Sequence, residues 1–283
     1  MRFNNPLSIA LSALVIATVT ACSGDKTDGS TNSDSTVTSF EIAQSIKSST
    51  KSFEIKDSES TYYLTKSISI QWPEIFGDYD ITPLQDSLKV MMFDSGANVS
   101  IVESITAWVD SVDTELFGGN ATITPIDSIP ETDVFYNYEV NITGKLIEFS
   151  DKLATYDIGY YYYTGGAHGN SSSHPFTYDL ARHALLTVDN MFKPGTRQQL
   201  LEAITRELAN QLGTTPGRLA DAGINTPIED IGAPYILNGS IVFRYDPYQI
   251  APYSFGAIDV SIYPGEIAEL LTAEAAQLLE VDQ

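Results

Sequence analysis

The residues best equipped for chemistry cluster in one run, Tyr163-Thr164-Gly165-Gly166-Ala167-His168-Gly169-Asn170. Glycines around a histidine permit positive φ and the close approach of another chain. Two readings stay open. In one, an exposed loop presents Tyr163, Gly165, Gly166, His168 and Asn170 to a ligand, which makes these the candidate binding residues. In the other, a tight strand-to-loop turn needs its glycines for geometry, and His168 bonds to backbone. The run lacks the Lys-Ser/Thr end of a phosphate-binding P-loop.

Other chemistries find less support. The histidines are His168, His174 and His183. Zinc asks for three or four N, S or carboxylate ligands, and no His-Glu-x-x-His pattern occurs. His168 and His174 are expected in one loop, where Asp179 would have to complete a site, so neither metal nor cofactor is expected. No Gly-x-Ser-x-Gly elbow marks a nucleophile, and Ser171-Ser172-Ser173 reads as a polar loop. Asp110, Asp113 and Glu115 read as a solvated helix face rather than an acid–base pair. No catalytic residue is assigned. The Tyr160–Tyr163 run alternates across a strand, with half its rings toward the core. The outward rings suit an interface.

The N-terminus supplies the address. Arg2 is followed by an uncharged apolar run from Leu7 to Val19, then Val19-Thr20-Ala21-Cys22. A charged end, an apolar stretch and a small-residue cleavage site make a secretory signal. The run is shorter than the about 20 residues of a membrane span. A cysteine immediately after the cut is the pattern of a bacterial lipobox. Residues 1–21 are therefore read as a lipoprotein signal peptide and Cys22 as the acylated residue. Acyl chains contribute about 0.8 kcal/mol per buried methylene. Cys22 is the single cysteine, so no internal disulfide forms. Residues 22–39, rich in Ser, Thr, Asp and Gly, bury too little to fold and read as a tether. The expected location is the cell envelope, lipid-anchored at the outer membrane and facing the periplasm or the surface.

Charge narrows the partners. The chain holds 15 basic and 37 acidic residues, a net −22. Removing the leader takes away Arg2 and no acid, leaving 14 basic residues and −23. This disfavours nucleic acid and anionic lipid surfaces and favours cationic partners.

The elements that must position these residues follow from periodicity. Ser52–Lys56 and Thr61–Trp72 read as strands, the second ended by Pro73. Pro83–Phe93 and Val99–Phe117 carry apolar residues at helical spacing, with Gly118-Gly119-Asn120 as the stop. Val134–Ile142 and Leu146–Phe149 are strands around a Thr143-Gly144-Lys145 turn. Leu153–Thr164 is a strand, and Phe176–Asp179 with Leu185–Val188 a hairpin around Ala181-Arg182-His183. A helix over Thr196–Leu212, strands at Ile241–Tyr245 and Ala257–Ile262, and helices over Pro264–Leu271 and Thr272–Leu279 complete the chain. Grouped helices and antiparallel strands make an α+β fold. Two packed subdomains are expected, 40–150 and 151–283.

Three segments carry a family resemblance. They are Tyr163–Asn170 with Leu186-Thr187-Val188-Asp189-Asn190-Met191-Phe192; Phe243-Arg244-Tyr245-Asp246-Pro247-Tyr248-Gln249-Ile250-Ala251-Pro252-Tyr253 with Gly256 and Asp259–Ile262; and Ile68–Ile75. The first two resemble the domain of unknown function in the extracytoplasmic part of RsiV-like lysozyme-sensing anti-sigma factors. The third resembles the domain that precedes it, also found beside the catalytic domain of a peptidoglycan deacetylase. The resemblance implies a lysozyme-binding ectodomain. Signalling by regulated proteolysis and deacetylation are not carried over, because no sigma-binding segment, transmembrane helix or deacetylase catalytic domain is recognised.

The reading is a non-catalytic envelope lipoprotein that binds a lysozyme-like basic protein or peptidoglycan. A cell-wall hydrolase or deacetylase with an unrecognised site is one alternative, and a structural envelope lipoprotein is another.

Overall fold

The computed structural model describes residues 15–19, 40–117, 119–131 and 134–282. Cys22 and the tether lie outside them. The fold is α+β, built on a large antiparallel-dominated sheet and a smaller one.

The large sheet has eight strands. They are β1 (Val15–Val19), β2 (Phe40–Lys56), β3 (Thr61–Phe76), β4 (Thr122–Ile126), β5 (Asn137–Phe149), β6 (Leu153–Tyr163), β7 (Asn170–Asp179) and β8 (Ala184–Leu185). The order is β1-β2-β3-β5-β6-β7-β8, with β4 also on β2. β1 falls inside the apolar run read as the leader and pairs with Phe40–Gln44. The pair β3–β5 is parallel. Parallel neighbours need a crossover, and here it carries α1 (Thr82–Phe93) and α2 (Ile101–Asp110).

Pro73 does not end β3. Gln44 pairs with Pro73 and Ala43 with Ile75, so Glu74 is an extra residue in a bulge. A bulge is one of the few places where a strand tolerates proline. Thr143-Gly144-Lys145 is not a turn either. β5 runs straight through it, pairing with β3 as far as Ile70↔Gly144. The glycine serves packing, since a Cβ there would lie 2.9 Å from Ile70 Cγ2. The chain reverses instead at residues 150–152, between β5 and β6. Residue 150 thus sits in a turn of the large sheet.

The second helix ends at Asp110, seven residues before the expected end at Phe117. Ser111 Oγ donates to Trp108 O at 2.8 Å. Lys66, from β3, donates to Trp108 O at 2.5 Å and Ser111 O at 2.8 Å. A buried ammonium there satisfies orphan carbonyls at the negative end of the helix dipole. Ser100 starts the helix with a capping box to Glu103.

One face of the large sheet buries Ile68, Ile70, Ile142, Tyr156 and Ile158 against Leu84, Leu88, Ile105 and Val109 of α1 and α2. The second core lies between α4 (Arg197–Gln211) and the small sheet β11-β10-β9, namely β9 (Ala233–Leu237), β10 (Ser240–Tyr245) and β11 (Ile258–Ile262). Leu200, Ile204 and Leu208 meet Ile241, Phe243, Val260 and Ile262 there. The i, i+4, i+8 stripe on α4 puts its apolar face on the sheet. β9 has no counterpart in the expected strands, because Pro234 and flanking Gly232 and Ala233 mask its pattern. Short α3 (Val188–Met191), a 3₁₀ turn at Pro264–Leu270 and α5 (Ala273–Leu278) close this half, so of the expected terminal helices only the six residues Ala273–Leu278 are α-helical.

The two halves meet along β7 and β9. The Thr177 hydroxyl lies 2.8 Å from that of Thr155 and accepts from Ile236 N–H at 2.7 Å. This buried link satisfies a backbone donor that burial would otherwise leave unpaired.

Candidate functional site

The glycine-rich run forms a short loop between β6 and β7. Gly165 and Gly166 adopt φ of +84° and +98°, conformations that Cβ disfavours. Tyr163 donates its hydroxyl to Gly166 O at 2.9 Å. A Cβ on Gly169 would lie 2.4 Å from the Tyr161 hydroxyl oxygen. Both odd-numbered tyrosines of the run therefore brace the loop. Tyr160 instead packs toward α1 and donates to Met91 O at 2.8 Å, while Tyr162 is exposed.

His168 is exposed, with Nδ1 3.0 Å from Gly169 O. Its ring stacks on Tyr253, centroids 4.9 Å apart and planes 17° from parallel. Tyr253 in turn meets Tyr248 at 5.5 Å and donates to Gly169 O at 3.4 Å. Tyr248 is 68% exposed and sits at φ +75°. The loop at 164–169 and the turn at 246–253 thus join into one open aromatic platform. Tyr248 and Tyr253 were absent from the candidate residues. Their signal is the Tyr-x-Ile-Ala-Pro-Tyr turn, which buries Ile250 and Ala251 and leaves Tyr248 exposed.

The remaining candidates distribute differently. Asn170 is half-buried, the first residue of β7, opposite Tyr162. Ser171–Ser173 and His174 are in β7 and not in a loop, paired with Tyr161–Ile158. His168 and His174 are therefore in different elements. Asp179 is buried and committed to its hairpin, accepting from Ala181 N–H, Arg182 N–H and the Arg182 guanidinium at 3.0, 2.9 and 3.0 Å. Among the described residues no group of three or more His, Cys, Asp and Glu could hold a metal ion. Ser173 donates to Asp157, and His174 packs edge-on to Tyr160 at 5.6 Å, so serine and histidine are not paired with each other.

A cleft of about 460 Å³ opens on the same turn. It lies among Ser173–Pro175 of β7, the segment 225–233 and residues 244–250. Gly232 lets the backbone close in, since a Cβ there would be 2.5 Å from Arg244 O. Arg244 Nη1 pairs with Asp259 at 3.1 Å across β10 and β11. Its Nε lies 3.7 Å from Asp246 Oδ1, and both atoms are buried without a hydrogen-bond partner among the described residues. Sequence reasoning missed this pair, because an Arg–Asp pair two residues apart on a strand reads as a solvated edge.

Residues 189–263 match the family model described as protein of unknown function (DUF3298). The chain carries a DUF3298 domain. That match begins in α3 and ends just past β11, so it covers the small sheet, α4 and the Tyr248–Tyr253 turn. A DUF3298 family member from Bacteroides fragilis has the same fold, with a TM-score of 0.67 at 18% identity over 83% of this chain and 96% of its own. A DUF3298 family protein from Pseudomonas aeruginosa PAO1 gives 0.51 at 19% identity over 81% and 95%. The chain is also 24% identical over 136 residues to the peptidoglycan-N-acetylmuramic acid deacetylase PdaC of Bacillus subtilis. The match covers 47% of this chain and 29% of that enzyme. Among the described residues no helix is long and apolar enough to cross a membrane.

Proposed function

We propose that this protein is a non-catalytic cell-envelope lipoprotein, acylated at Cys22, that binds cell-wall glycan on the His168–Tyr253–Tyr248 platform. The stacked, open ring cluster carries this reading. Aromatic faces offer apolar area with polar edges at little conformational cost, which suits the alternating faces and hydroxyls of sugar rings. The local likeness to a peptidoglycan deacetylase supports a cell-wall setting. The proposed location is the outer membrane, with the domain held off the lipid by the tether.

A second reading, binding of a basic lysozyme-like protein as in the RsiV-like anti-sigma factors, draws on the net charge of −22. Acidic charge speeds encounter with a cationic partner, and the effect fades with salt. The two readings separate in one titration. The mature chain, with Cys22→Ser to block acylation, is titrated against peptidoglycan fragments and against lysozyme at low and moderate salt. Saturable fragment binding that survives salt supports the glycan reading. Lysozyme binding that survives salt, without fragment binding, replaces it with the second.

A further inference from the structure

We infer that the outer edge of β2 at Phe40–Gln44 is a strand-addition site, which in the mature protein takes an extended, uncharged, apolar strand from another protein. The inference goes beyond the glycan reading and shares with it only the leader, residues 1–21. β3 runs along one side of β2. On the other side β4 covers Ser52–Lys56 and β1 covers Phe40–Gln44. β1 is Val15–Val19, so a cut before Cys22 removes it and opens the edge.

The backbone geometry says what the open edge offers. Glu41 O accepts from Gly77 N–H at 2.7 Å, so the polar groups of Glu41 face β3. Bonding alternates along an antiparallel pair, so those of Phe40, Ile42 and Gln44 face outward. β1 meets these three residues with Val19, Ala17 and Val15. The edge keeps its shape from the other side. The Phe40 ring lies over Gly77, where a Cβ would be 2.5 Å away, and meets Tyr79 at 6.5 Å. A row of outward donors and acceptors is a template for another strand, bound through main-chain bonds with alternate side chains setting specificity.

Two observations select the occupant. Ile42 is buried in the core with Phe76 and Leu84. On its face β1 sets only Val15, Ala17 and Val19, small or β-branched and uncharged, so the strand that replaces β1 must close the core with apolar residues. Farther along β2, Lys47 pairs with Glu74 at 3.2 Å and Lys51 pairs with Asp110. Lysine guards open edges against pairing, and Phe40–Gln44 holds none. A second copy fits less well, because two mature chains, each at −23 once Arg2 is removed from −22, repel one another.

The test uses the mature Cys22→Ser chain and a synthetic peptide of residues 13–20, Ala-Leu-Val-Ile-Ala-Thr-Val-Thr, with lysines appended for solubility. Calorimetry gives the affinity and amide hydrogen exchange gives the place. The expected result is saturable binding that slows exchange at Ile42 and Gln44. Ala17→Pro in the peptide removes a main-chain donor at unchanged charge and should weaken binding about tenfold. Gln44→Pro in the protein should do the same. Its N–H faces outward and its β3 partner is Pro73, so the substitution spares the β2–β3 ladder. Thermal melting checks that this variant folds, and the proline peptide carries the test if it does not. Binding that ignores the proline substitutions overturns strand addition, as does no binding at millimolar peptide. Self-association of the mature chain that protects the same amides overturns the partner and gives the edge to a second copy. The mass of the protein extracted from membranes tests the leader separately. An acylated Cys22 at the N-terminus supports the vacant edge. Residues 1–21 still attached overturn it, whatever the peptide does.

Discussion

The imidazole of His168 and the ring of Tyr253 lie face to face at 4.9 Å, and this contact joins two sequence motifs more than eighty positions apart. If the pair is a recognition surface, truncating either ring removes a face on which a sugar stacks. His168→Ala and Tyr253→Ala are each expected to weaken binding of peptidoglycan fragments by about threefold to tenfold, the worth of one aromatic contact. Calorimetric titration of the folded variants checks this. Unchanged affinity in both would remove the platform from the binding site.

Tyr248 holds φ +75°, where a side chain is strained, yet the residue is 68% exposed. Glycine relieves about 1–2 kcal/mol of such strain and returns part of it as unfolded-chain entropy. Tyr248→Gly is therefore expected to hold or raise stability by up to about 1 kcal/mol while weakening glycan binding. Denaturant unfolding and titration of the same preparation give both quantities. A variant that loses stability would show that the ring serves packing.

Thr177 carries a buried hydrogen bond between the two halves. Thr177→Val keeps the shape but leaves Ile236 N–H and the Thr155 hydroxyl without their shared partner. A loss of about 1–3 kcal/mol in unfolding free energy is expected. A change well under that would mean the β7–β9 contact is held by apolar packing alone.

Lys66 makes stability depend on pH. Its side chain is only 7% exposed, and burial pushes its pKa down from 10.5 to about 8, against the opposing pull of Asp110. Between these values the unfolded chain binds more protons than the folded one. Stability should therefore rise with pH from about 8 toward 10. Tyr235 then reverses the trend, because burial raises its hydroxyl to about 12 and the unfolded chain ionises first. Lys66→Met should flatten the rise, as read from urea midpoints at pH 7.5, 8.5 and 9.5. A rise that persists in the variant would assign it to other groups.

Much of the architecture is legible from residue patterns. The Leu200, Ile204 and Leu208 stripe reports α4, and Ala181-Arg182-His183 reports a reversal, because periodicity and turn chemistry are local. Gly144 and Pro73 mislead for the same reason. Locally they signal a turn and a stop, but in the sheet one makes room for Ile70 and the other sits at a bulge. The early end of α2 escapes the sequence because its cap is Lys66, contributed by a strand more than forty residues away.

The candidate site divides along the same line. Sequence alone determined that His168 stands in a glycine-rich loop, since only backbone freedom was needed to argue it. That this ring rests on Tyr253 beside Tyr248, and that Arg244 stands between Asp246 and Asp259, was decided only by tertiary structure. Ring stacking and ion pairing across strands depend on which distant segments the sheet registers bring together, and no local pattern encodes that.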